Sequence, residues 1–257
     1  MTYLQFLILF MGIPLSVLIT KYISSDLPNK KEFQKGIIIL IFLAVFYTTP
    51  WDNYLVMTGV WSYGSHRILG TIGYVPIEEY CFFILQPIFS GLLCFLMQKK
   101  FAIKKEAEIF DRNYQVSFVS FFYGALFLIG VAGLNFEKTR YFGLILSWAM
   151  PVILLQWLVG GSRLLANRKI FLTAVFVPTL YLWIADTLAI SDGIWTIPAT
   201  YSTGLKVGGL PIEESLFFLV TNLMLAQGLI LFVVMKQEMN KLLDTKRRIL
   251  KWIGLPG

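Results

Sequence analysis

The sequence predicts an all-α, polytopic membrane protein of about seven transmembrane helices, arranged as two parallel three-helix repeats joined by a linker helix. Three observations predict it. The 257-residue chain is 57% hydrophobic and only 14% charged, whereas a soluble domain is about half apolar and a quarter charged. Its apolar residues fall in long blocks, most of them near the ~20 residues that cross a bilayer core. The blocks carry a repeated set of polar motifs at a constant offset.

The expected spans are residues 3–20, 36–51, 80–98, 116–134, 141–160, 170–185 and 215–235. The second and sixth are short and are expected to run on past Asp52 and Asp186. No basic segment precedes the first block, whose first lysine, Lys21, follows it. The block is therefore read as a helix rather than a cleaved leader. Loops 21–35, 99–115 and 161–169 and the segment 236–257 hold 4, 5, 3 and 6 Lys and Arg; the alternate loops 52–79, 135–140 and 186–214 hold 1, 2 and 1. With 18 of the 22 on one side, the positive-inside rule predicts an outer N-terminus and a cytoplasmic C-terminus in the cell membrane. The net charge of +7 is thus a topology signal and gives no reason to expect nucleic acid. Segment 236–257 is read as a solvated basic tail, with a helix lying on anionic lipid as the alternative.

The repeat is specific. Asp52, Gly59 and Trp61 recur as Asp186, Gly193 and Trp195 at an offset of 134; Pro76-Ile77-Glu78-Glu79 recurs as Pro211-Ile212-Glu213-Glu214 at 135, and Phe82-Phe83 as Phe217-Phe218. Residues 1–98 and 141–235 are read as the two repeats, and 99–140 as the linker with span four. A shift of four helices keeps the repeats parallel and puts both motif sets on the outer side, where sites form between repeats.

Six acids occupy repeat-related positions: Asp52, Glu78, Glu79, Asp186, Glu213 and Glu214. Asp52 and Asp186 each follow about 16 apolar residues, roughly 24 Å of helix, which places them near the outer edge of a ~30 Å hydrocarbon core. Each Glu pair opens a span behind a proline, which suits a helix N-terminus and its dipole. One pair alone reads as capping. Two pairs and two aspartates from both halves read as a site, since acids at membrane depth are costly. Removing a carboxyl from water favours its protonated form, a general acid for an apolar substrate. Glu79, Phe82, Phe83 and Gln86 share a helix face at i, i+3, i+4 and i+7, as do Glu214, Phe217, Phe218 and Thr221. Glu79 and Glu214 are therefore expected nearest the substrate, with Glu78, Glu213, Asp52 and Asp186 in support. Phe82, Phe83, Phe217 and Phe218 are candidate substrate contacts that stabilise a cation through their ring faces; the general richness of membrane helices in Phe accounts for them at least as well. Trp51, Trp61 and Trp195 suit the membrane interface, and Trp61 and Trp195 join the candidate substrate-binding set. His66 and Arg67 read as surface-loop residues; Gln86, Asn222 and Gln227 are expected to hydrogen-bond between helices.

His66 is the only histidine, and Cys81 and Cys94 lie in one apolar block, so no metal cluster or structural disulfide is expected. No G-x-G-x-x-G fingerprint occurs, and no cofactor is expected.

Pro50-Trp51-Asp52-Asn53, Gly59-Val60-Trp61 and Val75-Pro76-Ile77-Glu78-Glu79-Tyr80 with Phe82-Phe83, followed by the second set, resemble the two halves of the integral-membrane, non-flavin lycopene cyclases over nearly the whole length. The chain resembles the fused two-half form without an attached phytoene synthase. The resemblance implies a lycopene β-cyclase: an acid protonates the terminal double bond of a ψ end group, the next double bond closes a six-membered ring, and a base removes a proton. It implies a carotenoid substrate drawn from the bilayer, contact with lipids and association with other carotenoid enzymes. A transporter or channel also fits intramembrane acids and parallel repeats, and cyclases making ε or γ rings or acting on C50 carotenoids fit the same motifs. A rhodopsin is excluded by the absence of lysine from residues 215–235, and a prenyltransferase lacks its paired aspartate motif, Asp186 and Asp192 being six apart.

Overall fold

A computed structural model describes residues 1–104 and 112–252, with side chains for 1–104 and 117–246. Seven helices make up the fold among them: α1 (Tyr3–Ile23), α2 (Lys30–Met57), α3 (Ile77–Met97), α4 (Arg112–Gly133), α5 (Arg140–Ala166), α6 (Arg168–Ser191) and α7 (Ile212–Trp252). Six are long and apolar enough to cross a bilayer, and α4 is apolar over Ser117–Gly133, so the protein is multi-pass. As expected, α2 and α6 run on past Asp52 and Asp186. Beyond residue 235 α7 continues through the basic segment to Trp252; residues 239–246 are exposed, and Glu238 binds Arg163 of α5 (2.7 Å).

The packing is two-fold. In one half α3 touches α1 and α2; in the other α7 touches α5 and α6. Across the centre α3 meets α7, α2 meets α7, and α6 meets α3, while α4 packs along α5. Two residue pairs mark the axis because each joins a residue to its own repeat equivalent. Gln86 Nε2 donates to Thr221 Oγ1 (3.0 Å) in the helical core. At one end Ser62 and Thr196 pair their hydroxyls (2.9 Å) where β1 (Ser62–Tyr63) and β4 (Trp195–Thr196) form a short antiparallel ladder. Ser90 donates to Asn222 beside the axis (2.7 Å), and Gln227 lies buried against Tyr123 of α4. These are the interhelical polar contacts expected where lipid offers no hydrophobic drive.

Helix ends explain the repeated Gly-x-Trp. After α2, Gly59 adopts φ +73°, with Gly59 N–H bonded to Val56 O and Val60 N–H to Leu55 O. After α6, Gly193 (φ +68°) and Ile194 repeat both bonds, to Ile190 O and Ala189 O. This is a Schellman cap, in which the left-handed residue is glycine because a Cβ is disfavoured there. The tryptophan two residues on is thereby turned back over the bundle. A second local device lies in α1. Tyr3 and Pro14 are 11 residues apart, their equivalents Tyr141 and Pro151 only 10, and the extra residue is absorbed as a π-helical turn at Ile8–Gly12.

No atom lies within 4 Å of a Cβ built on Gly59 or Gly193, so substitution there tests backbone strain alone. Gly59→Ala or Gly193→Ala is expected to lower stability by about 1 kcal/mol, and the asparagine variant by less. Unfolding in detergent by chemical titration measures this; unchanged alanine variants would contradict the capping account.

Candidate active site

Each Glu pair is delivered by a hairpin. Strands β2 (Thr71–Ile72) and β3 (Val75–Pro76) precede α3, and β5 (Lys206–Val207) and β6 (Leu210–Pro211) precede α7. Glycine supplies the positive φ of both turns: Gly73 in the first, Gly208 and Gly209 in the second. Pro76, extended at φ −57° and ψ 146°, is the N-cap residue of α3.

Consecutive helical residues point about 100° apart, and this separates the two glutamates of each pair. Glu78 turns back to its own loop and accepts from Leu69 N–H (2.8 Å). Glu213 does the same, accepting from Thr203 N–H and Oγ1 (2.7 Å each) and from Ser202 Oγ (3.2 Å). These two brace the loop in front of each helix.

Glu79 and Glu214 instead face a narrow hollow between the halves. Phe82, Phe217, Phe218, Trp61, Trp195 and Asp186 line it with them. The other sequence candidates lie elsewhere: Phe83 is buried outside the hollow with its ring against Tyr80 (5.7 Å), and Asp52 is buried behind it, where it still feels the charges of Glu79 and Glu214.

Aromatic donors hold the acids. Tyr3 OH donates to Glu79 Oε2, and Tyr63 OH approaches the same oxygen (3.4 Å). Burial, and then the adjacent Glu79 charge, push the Tyr63 phenol well above the usual tyrosine range, which keeps it a donor. Glu214 Oε1 accepts from Tyr141 OH (2.7 Å) and Trp61 Nε1 (3.3 Å). Trp195 Nε1 donates to Asp186 Oδ1 (2.8 Å), and Asp186 lines the hollow together with Glu214. Glu214 Oε2 and Asp186 Oδ2 are buried with no protein donor among the described residues.

Tyr3, Tyr63 and Tyr141 do not figure among the sequence-derived site residues. Tyr3 and Tyr141 open spans one and five and precede a proline by 11 and 10 residues, a repeat signal weakened by the one-residue π insertion. Arg67, read from sequence as a surface-loop residue, is partly exposed and ties the first residues of the chain to the loop after α6. It donates to Met1 O (2.6 Å) and to Asp192 O (3.0 Å), and its carbonyl accepts from Tyr3 N–H (2.8 Å).

A family model described as lycopene cyclase matches residues 1–97 and 140–235, which are the two three-helix halves without α4. A lycopene beta-cyclase from Halobacterium salinarum is 42% identical over 235 residues, covering 90% of this chain and 95% of that protein. A bifunctional lycopene cyclase/phytoene synthase from Arthroderma gypseum is 37% identical over 213 residues, 75% of this chain but 35% of that longer protein. A protein of the same description from Aspergillus oryzae is 32% identical over 206 residues, again 35% of its length. No solved structure matches the chain. Since the match takes in both halves, with the duplicated acids and the aromatic hollow they enclose, the chain belongs to the lycopene cyclase family.

Proposed function

We propose that the chain is a lycopene β-cyclase, an intramolecular lyase that closes the ψ end groups of lycopene into β-ionone rings by acid catalysis. The observation that carries this reading is the hollow itself: paired carboxyl groups enclosed by aromatic rings at membrane depth, in a family of lycopene cyclases. The end group enters from the bilayer. Glu214 and Asp186 both line this apolar hollow, where two neighbouring carboxylates cannot both be ionised, so together they hold a proton to deliver. Glu79, with two phenols donating to one oxygen, has the setting of a carboxylate and acts as the base.

The chemistry follows from those placements. The Glu214–Asp186 pair protonates the terminal double bond, giving a tertiary cation. The faces of Phe82, Phe217 and Trp61 stabilise it as the next double bond attacks and the six-membered ring closes. Glu79 then takes the proton whose loss leaves the β double bond, so atoms and charge balance with no redox change. Asp52, buried outside the hollow, does not touch the substrate.

The charge asymmetry of the loops supports an outer N-terminus, a cytoplasmic C-terminus and a site near the outer face. The partners proposed are the carotenoid, the surrounding lipids and other carotenoid enzymes; the printed names of the fungal relatives join cyclase and phytoene synthase in one chain.

In lycopene-producing cells, Glu214→Gln is expected to leave lycopene essentially uncyclised, a loss of about 100-fold or more. Glu79→Gln is expected to lose β rings to a similar degree while leaving traces of other cation-derived products. Pigment chromatography reads both; full β-carotene formation by the two variants would sink the assignment. Glu78→Gln and Glu213→Gln each disturb a loop brace, so their main effect is on stability, about 1–3 kcal/mol in detergent unfolding, with turnover per folded enzyme reduced less than by the 79 and 214 variants. A reporter fused to the C-terminus checks the topology: activity on the cytoplasmic side is expected, and activity on the outer side would refute it.

A further inference from the structure

The two halves share one backbone plan, yet the hollow is open on one side of the axis and closed on the other. The correspondence is fixed by matching bonds. Tyr181 OH on α6 donates to Phe10 O on α1 (2.6 Å), and its repeat equivalent Tyr47 on α2 donates to Trp148 O on α5 (2.9 Å). Phe10 therefore corresponds to Trp148. Ala185 precedes Asp186 as Trp51 precedes Asp52, so Ala185 corresponds to Trp51.

Phe10 and Ala185 line the open hollow. At the mirrored place, Trp148 and Trp51 stack at 4.5 Å between centroids, with planes 18° apart. Tyr47 also stacks on Trp148 (5.5 Å), and Phe217 lies near both indoles, 5.8 Å from Trp51 and 6.3 Å from Trp148. Two indoles thus stand where the other side has a methyl group and one phenyl ring, while Tyr47 and Phe217 have aromatic counterparts in Tyr181 and Phe82. Asp186 borders the open side, and Asp52 is sealed behind the filled one. The indoles follow the same bias: Trp61 and Trp195 donate to Glu214 and Asp186, although strict symmetry would send one of them to a first-half acid.

We propose that Ala185 is a specificity-determining residue which, with Phe10, keeps one half of the duplicated site open to the polyene end group, and that the Trp51–Trp148 stack closes the other half. The ligand class, an apolar polyene, rests on the functional reading above. The closure itself rests on ring volume: added bulk in a filled site forces displacement or exclusion, while bulk removed from a plug outside the hollow leaves the ligand's contacts intact. The chain accordingly offers the end group one seat, bounded by Asp186 and not by Asp52.

The test uses the full chain purified in detergent and titrated with lycopene, read by the shift of the polyene absorption band, alongside pigment analysis of the producing cells. Ala185→Leu and Ala185→Trp are expected to weaken lycopene binding roughly tenfold or more, in order of side-chain size. Trp51→Leu is expected to bind within about twofold of the parent, a difference under ~0.5 kcal/mol. Should Ala185→Trp fail to fold, Ala185→Leu carries the comparison. Parent-like binding by Ala185→Leu, or a loss at Trp51→Leu equal to that at Ala185→Leu, overturns the proposal, as does a parent that binds no lycopene. The expected binding pattern without ring formation by the parent leaves the open seat standing and overturns the cyclase reading instead.

Discussion

Burial of carboxyl groups without a balancing cation is the constraint on which the rest of the structure depends. Asp52, Glu78, Glu79, Asp186, Glu213 and Glu214 are all 4% exposed or less, and no lysine or arginine is among the buried described residues. An uncompensated buried charge is too costly to persist, so each acid must be supplied with donors, share a proton, or stay neutral. The fold solves this in two ways. Glu78 and Glu213 receive loop N–H and hydroxyl groups and become structural. Glu79 and Glu214 receive phenols and an indole, which donate without adding positive charge, and so remain available for proton transfer.

The helix termini make this division automatic. A proline at the N-cap fixes where each helix begins, and the 100° step between neighbouring residues then sends one glutamate to the loop and the next to the hollow. The Schellman caps after α2 and α6 bring Trp61 and Trp195 back within reach of the acids, while β1 pairs with β4 to tie the two halves together above them. The site is therefore assembled by ordinary helix-end chemistry repeated twice around one axis.

Duplication supplies the pieces, and divergence between the copies supplies selectivity. Trp51 against Ala185, and Trp148 against Phe10, are large-for-small exchanges at equivalent positions. Such exchanges leave the helices in place, because the same hydrogen bonds hold both copies, yet they alter the free space on either side of the axis.

Much of this was legible in the sequence. Apolar block length predicts the helices, and the repeated Asp, Gly-x-Trp and Pro-Ile-Glu-Glu motifs predict the two halves and the inward-facing second glutamate, since helical periodicity depends only on local geometry. The spans past Asp52 and Asp186 were likewise readable. For the segment beyond residue 235 the sequence left a solvated tail and a surface helix both open, and the structure continues α7 through it. Sequence by itself thus determined which acids recur in the two halves and which helix face each occupies. Only the tertiary structure decided that Tyr3, Tyr63 and Tyr141 serve those acids, that Phe83 lies outside the hollow, and that one side of the duplicated site is filled. Those outcomes depend on contacts between helices distant in the chain and on how ring volumes share a common interior, and no local pattern encodes either.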